Sequence, residues 1–257
     1  MTAENKIKRA LIIVLTILII TVLCLGYYAA MGGKITTLMS AGDRLLPIYS
    51  VETEEKVVAI SFDAAWGNEF TNDILDILDS HDARATFFLV GFWIDQYPED
   101  VKEIAKRGNE IGSHSATHPD LTTCSEAQVL QELEETTKKI EEIAGVKPEL
   151  FRPPYGAYDN QLIRIAGEKG YQVIQWDVDS LDWKDISQDQ IVERVVRNVR
   201  NGSIVLFHNN AQYVSAYLPQ ILEKLQADGY KIVAVGDLIL KENYTIDHTG
   251  RQIPAGK

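Results

Sequence analysis

The chain has 257 residues, with 37 Asp and Glu against 25 Lys and Arg, and a formal charge of −12. Residues 1–34 hold four Lys/Arg and one Glu, so the rest carries −15, which argues against nucleic acid as a partner held through its phosphates. Cys24 lies in an apolar N-terminal run and Cys124 is alone beyond it, which excludes an intrachain disulfide, a cysteine zinc site and a Cys–His nucleophile pair.

Residues 10–33 carry no charge, and Leu11 to Leu25 is almost wholly aliphatic, close to the ~20 residues that span a bilayer as a helix. Lys6, Lys8 and Arg9 precede it, which favours a cytoplasmic N-terminus. The run exceeds a usual signal-peptide core of ~7–15 residues and no clean A-x-A site follows Ala29-Ala30, although Ala30-Met31-Gly32 is an alternative cut. We therefore read 1–9 as a cytoplasmic N-terminus and 10–33 as a transmembrane signal anchor. Residues 34–55 read as a connector with an extended piece at Leu46–Val51, 56–240 as a domain outside the cell membrane, and 241–257 as a loosely held polar tail.

Within 56–240, apolar runs alternate with amphipathic stretches. Val57–Phe62 predicts a buried strand, Thr71–Ser80 a helix, Ala85–Val90 a strand, and Pro98–Arg107 a helix stopped at Gly108. Asn109–Gly112 predicts a short strand, and Ser125–Ala144 a helix capped by Ser125 and ended at Gly145. A strand from Leu150, a helix over Asn160–Lys169 and a strand over Tyr171–Trp176 follow. A helix over Gln188–Arg200, a strand over Ser203–Phe207, a helix over Ser215–Ala227 and a strand over Lys231–Val235 complete the order. Continuous apolar strands between helices predict an α/β fold with a parallel sheet, whose chemistry gathers at the carboxyl ends of the strands.

Five polar clusters fall at those ends. Ser61-Phe62-Asp63-Ala64-Ala65-Trp66-Gly67-Asn68 offers a carboxylate that reads equally as a base or a helix N-cap. His114 and His118 form an H-x-x-x-H pair, suited to a zinc-like metal, yet a pattern so short also arises by chance on a polar loop. Arg152-Pro153-Pro154-Tyr155-Gly156 is a rigid turn after an arginine. Trp176-Asp177-Val178-Asp179-Ser180-Leu181-Asp182-Trp183 is the fourth cluster. Leu206-Phe207-His208-Asn209 is the fifth, and its lone histidine reads more readily as structural.

In this order, from about Lys56 to Leu240, the clusters resemble the polysaccharide deacetylases of the NodB-homology group, carbohydrate esterase family 4. The R-P-P-Y-G run and the D-W pair match closely, and the first cluster looks most like the sporulation-type (PdaB-like) branch. The resemblance implies an irregular (β/α) barrel and metal-dependent removal of N-acetyl groups from a cell-wall glycan, of peptidoglycan or spore-cortex type. It implies that His114 and His118 bind a divalent metal, zinc, and that Asp63 is the base, oriented by Arg152. The Tyr155 amide would stabilise the oxyanion, and His208, held by Asp182, would protonate the departing amine. Trp183 and Leu206 would line the acetyl pocket.

One position departs from the family. Its usual T-F-D-D-G has a third metal ligand where this chain has Ala64, with the glycine two residues late at Gly67. Three consequences stay open: Asn68, Glu69 or Asp63 reaches the metal, water completes a weak site, or the chain is an inactive glycan-binding protein of envelope or spore assembly.

Overall fold

The computed structural model describes residues 44–184 and 186–255. The expected anchor at 10–33 lies outside them, and among the described residues no helix is long and apolar enough to cross a membrane. One compact unit begins at Leu45.

Its strands are β1 (Ser50–Val51), β2 (Val57–Ala64), β3 (Ala85–Leu89), β4 (Glu110–Ser113), β5 (Leu150–Phe151), β6 (Gln172–Val173), β7 (Val178–Asp179), β8 (Ile204–His208), β9 (Lys231–Val233), β10 (Tyr244–Ile246) and β11 (Arg251–Pro254). The main sheet runs β6-β5-β4-β3-β2-β8-β7, all parallel, with β9 beside the start of β2. Helices α1 (Thr71–Ser80), α2 (Gly91–Gln96), α3 (Pro98–Lys106), α4 (Glu126–Ala144), α5 (Asn160–Glu168), α6 (Gln188–Asn198), α7 (Val214–Ala227) and α8 (Val235–Leu238) connect the strands. The longest, α4, starts in a Ser125–Gln128 capping box and stops at Gly145, whose φ of 70° only glycine adopts cheaply. The sheet is curled and covered by helices, in keeping with the expected (β/α) barrel.

Period-two alternation builds both the core and the site. On β2, Val58, Ile60, Phe62 and Ala64 enter the apolar layer under the helices, with Phe87 and Leu89 of β3 and Val205 and Phe207 of β8. Ala59 and Phe88 belong instead to an inner cluster with Ile204, Ile174 and Val235. Ser61, Asp63, Leu206 and His208 share that inner face, so polar groups replace apolar ones only at its carboxyl end. Asp63 pairs in register with Phe88 on one side and His208 on the other.

Several elements differ from expectation. The Leu46–Val51 piece is extended, as expected, and it also joins the sheet: Ile48 bridges Ile174 and Ser50 bridges Ser203, so it straps the β6 side to the start of β8. The tail is not loosely held up to residue 255. There β10 and β11 form a hairpin that pairs with β1, and the buried Gln252 exchanges two hydrogen bonds with the Leu240 backbone. Polar composition hid this, because a side-chain amide satisfied by backbone is as buriable as an apolar residue. The strand expected at Tyr171–Trp176 shrinks to β6, and the end of the one expected at Lys231–Val235 turns into α8.

Candidate functional site

A cleft of about 830 Å³ opens at the carboxyl ends of the strands and is lined by Asp63, His114, His118, Asp182, Leu206 and His208, among others. The nine residues given roles by the family resemblance lie at or directly beneath it. Arg152 lies beneath: fully buried, it donates from Nη1 to Asp63 Oδ1 at 2.7 Å, and from Nη2 to Ser61 Oγ at 2.9 Å and the Gln175 carbonyl at 3.2 Å. Its guanidinium lies 4.1 Å over the Phe88 ring, and a Cβ at Gly112 would strike that ring, so only glycine fits there. Burial alone would raise the Asp63 carboxyl, but Arg152, with His114 and His208, holds it below the usual carboxylate range. Asp63 is therefore ionised and fixed, and the N-cap reading fails: α1 is preceded by Phe70 with no side-chain cap.

His114 follows β4 and is buried. Its Nδ1 meets the Arg152 carbonyl at 2.7 Å, which turns Nε2 towards Asp63 Oδ2 at 3.5 Å. His118 sits on the next turn in left-handed backbone (φ 61°), with its ring centroid 4.9 Å from that of His114 and 4.7 Å from that of Tyr155. Burial depresses both imidazoles, and His118 falls to about 4, with His114 as the second cause. Both are neutral at pH 7, the form that ligates metals.

The acid side is a second closed pair. His208 Nδ1 lies 2.8 Å from Asp182 Oδ1, and the His208 amide and the Tyr217 hydroxyl both donate to Asp182 Oδ2, at 2.9 and 2.7 Å. Burial would lower His208, but the Asp182 hydrogen bond and charge raise it overall. With Nδ1 engaged, Nε2 is the nitrogen left for the cleft. Asp177, from the same acidic cluster, instead takes the Ile204 amide, Ser203 and Arg200 at the opposite end of β8, a structural role.

Two supporting residues gave no sequence signal. Glu132 of α4 accepts from the Ala116 and Thr117 amides at 2.8 Å each and from Thr117 Oγ1 at 2.6 Å, clamping the loop that carries His118. Tyr217 of α7 reads as an ordinary apolar-face residue until its hydroxyl is found on Asp182.

Two imidazoles suit a divalent metal, and the buried Nδ1 of His118 has no hydrogen-bond partner. The rest of the donor set does not fit. Hydrolytic zinc sites take three protein ligands, and among the described residues no group of three His, Cys, Asp or Glu is placed to hold an ion. The Ala64 methyl is fully buried in the helix-side layer. Asn68, a candidate replacement, donates instead to Asp100 at 2.7 Å.

A buried carboxylate–arginine pair and a histidine–aspartate pair on neighbouring strands of a curled parallel sheet define a hydrolase-type cleft. The polysaccharide deacetylase family model matches residues 50–174. A peptidoglycan-N-acetylglucosamine deacetylase of Bacillus cereus is 35% identical over 196 residues, 74% of this chain and 92% of that one. The chain belongs to the polysaccharide deacetylase family. It is also 37% identical over 189 residues to the peptidoglycan-N-acetylmuramic acid deacetylase PdaC of Bacillus subtilis, covering 74% of this chain but 40% of that protein, and it spans 60% of a second B. subtilis relative, YlxY. A solved CE4 family pseudoenzyme from Bacillus anthracis superposes with a TM-score of 0.73 at 33% identity, covering 80% of this chain and 70% of that one. A mutant of that pseudoenzyme with restored enzymatic activity has the same fold, at a TM-score of 0.73.

Proposed function

We propose that this chain hydrolyses N-acetyl groups from aminosugars of a cell-wall glycan, of peptidoglycan or spore-cortex type, as a NodB-type (β/α) barrel of the sporulation branch held at the outer face of the cell membrane. The observation that carries this is the pairing of Asp63 with Arg152 and of His208 with Asp182 in one cleft. A glycan-binding module has no need of a carboxylate held ionised beside an imidazole held basic.

In this reading Asp63 takes a proton from water as its oxygen attacks the acetamide carbonyl, with Trp183 and Leu206 around the methyl group. The Tyr155 amide faces the resulting oxyanion, a contact type worth ~3–4 kcal/mol in other hydrolases. His208 Nε2 delivers a proton to the nitrogen, the C–N bond breaks, and acetate and a free amine leave. His114 and His118 are the residues that would hold a divalent cation, zinc being the one the family resemblance implies, with solvent completing the shell. When bound, such a cation would acidify water and polarise the carbonyl. With Ala64 in the third position its affinity is expected to be low.

A second reading has its own support. Ala64, together with the likeness to a pseudoenzyme, favours a glycan-binding protein without turnover. The test is acetate release from peptidoglycan and N-acetylglucosamine oligomers by the full chain, with bound metal quantified. Release that disappears in His114→Ala and in Asp63→Asn supports the deacetylase. No release from the natural chain, with release from Ala64→Asp or from Ala65→Asp, whose position lines the cleft, rejects it in favour of the second reading.

A further inference from the structure

The turn that carries the Tyr155 amide is a costly piece of backbone. Tyr155 and Gly156 are both left-handed, at φ 60° and 65°. A residue with a side chain keeps that conformation only where its surroundings enforce it. Pro153 and Pro154 stiffen the entry, since each ring locks its own φ. Inside the turn, the Gly156 and Ala157 amides donate to the Pro153 and Pro154 carbonyls, both at 3.1 Å. The Gly156 carbonyl takes its hydrogen from outside the turn, from Gln175 Nε2 at 3.2 Å.

Gln175 is 2% exposed, and its place follows from the sheet. Phe151 of β5 pairs in parallel with Val173 of β6, so the chain beyond β6 runs beside the turn beyond β5. The Gln175 amide donates to the Ile48 carbonyl at 2.7 Å, and its own carbonyl accepts from Arg152 Nη2 at 3.2 Å. One residue thus meets both ends of the turn. Its backbone holds the guanidinium that fixes Asp63, and its side chain holds Gly156. The fit is close: a Cβ at Gly156 would come within 3.1 Å of Gln175 Oε1 and 3.0 Å of the Trp176 ring.

We propose that Gln175 is a positioning residue, whose side-chain amide fixes the Tyr155–Gly156 turn and so aims the Tyr155 N–H at the oxyanion. This rests on the deacetylase reading and adds to it how the oxyanion donor is held in place. A backbone donor has no rotamer to adjust. Its direction is that of its peptide plane, set here by ψ of Pro154 and φ of Tyr155. A turn that relaxed to right-handed backbone at Tyr155 would swing the N–H away. An oxyanion donor works because it needs no reorganisation when charge develops, so the clamp belongs to the chemistry as much as to the fold.

The test uses Gln175→Met, of similar length but without a donor, and Gln175→Glu, which turns an acceptor towards the Gly156 carbonyl. Acetate release from N-acetylglucosamine oligomers by the full chain is measured beside amide hydrogen exchange at Gly156 and Ala157. Both variants should lower kcat by about 10- to 100-fold and leave KM within about 3-fold, since the aimed donor matters in the transition state. Exchange at the two amides should quicken by about 10-fold. Gln175→Asn keeps an amide on a shorter stem and should recover part of both losses; it carries the test if the other two variants do not fold. Unchanged exchange in the variants overturns the clamp. Faster exchange with an unchanged kcat, or a loss carried by KM alone, overturns the positioning role. No acetate release from the natural chain, with faster exchange in the variants, rejects the deacetylase and supports the clamp. Release from the natural chain with exchange unmoved in the variants does the reverse.

Discussion

Tyr217 Oη donates to Asp182 Oδ2 at 2.7 Å, while His208 Nδ1 contacts the other carboxylate oxygen at 2.8 Å. The carboxylate that raises His208 is thus shared with a phenol buried in α7. Tyr217→Phe should concentrate its charge on His208 and raise the imidazole pKa further, read by NMR titration of the ring. A hydrogen bond to a charged group is also lost, so unfolding by urea should occur with about 1.5–3 kcal/mol less stability. An unchanged His208 pKa would remove Tyr217 from the acid pair.

Arg152 is the cation hydrogen-bonded to Asp63, Nη1 to Oδ1 at 2.7 Å, and it is itself fully buried. Arg152→Met should leave a buried carboxylate uncompensated and cost about 3–5 kcal/mol. The double variant Asp63→Asn/Arg152→Met should regain most of that stability without regaining activity. Thermal denaturation of the two variants decides it, and equal melting temperatures would contradict the pairing.

The His118 imidazole, at about 4 in the folded chain, lies below its ordinary 6.5. The unfolded chain therefore binds this proton more readily between those values. The stability contributed by neutral His118 is present above pH 6.5 and is lost as pH falls towards 4. His114 acts in the same direction. His208, raised, acts in the opposite one, stabilising below 6.5 and losing that as pH rises through its folded value. Urea midpoints should fall from pH 7.5 to pH 5, and His118→Gln should flatten that slope. A slope untouched by His118→Gln would show that the histidine is not buried neutral.

Glu132 holds Ala116 and Thr117 in a loop where Ser115 and His118 both have positive φ, a backbone that costs non-glycine residues about 1–3 kcal/mol each. Glu132→Ala should release it, speeding amide hydrogen exchange at residues 116 and 117 and lowering stability by about 1–3 kcal/mol. Glu132→Gln keeps one acceptor and should fall between the two. Unchanged exchange at both amides would assign the loop geometry to other contacts.

Most of the site could be read before folding. His114, His118, Arg152 and His208 stand beside apolar strands in a recognisable order, because a parallel sheet delivers strand ends to one place. The residues that escaped notice act through space from helices. Glu132 sits on a polar helix face where any carboxylate would pass as solvated, and Tyr217 on an apolar face where any aromatic would pass as core. The extended piece at Leu46–Val51 was legible, but its pairing partners were not, and the hairpin of β10 and β11 escaped altogether: three- and four-residue strands hold too few side chains to show a period.

By itself, the sequence determined most of the strand–helix order, the polar clusters at the strand ends, and the absence of a carboxylate at Ala64, since each follows from local residue identity. The tertiary structure alone decided that Asp63 is ionised on Arg152, 89 positions away, and that Asp182 is divided between His208 and Tyr217. Pairings over such separations are fixed by the register and curl of the sheet, which no stretch of sequence encodes locally.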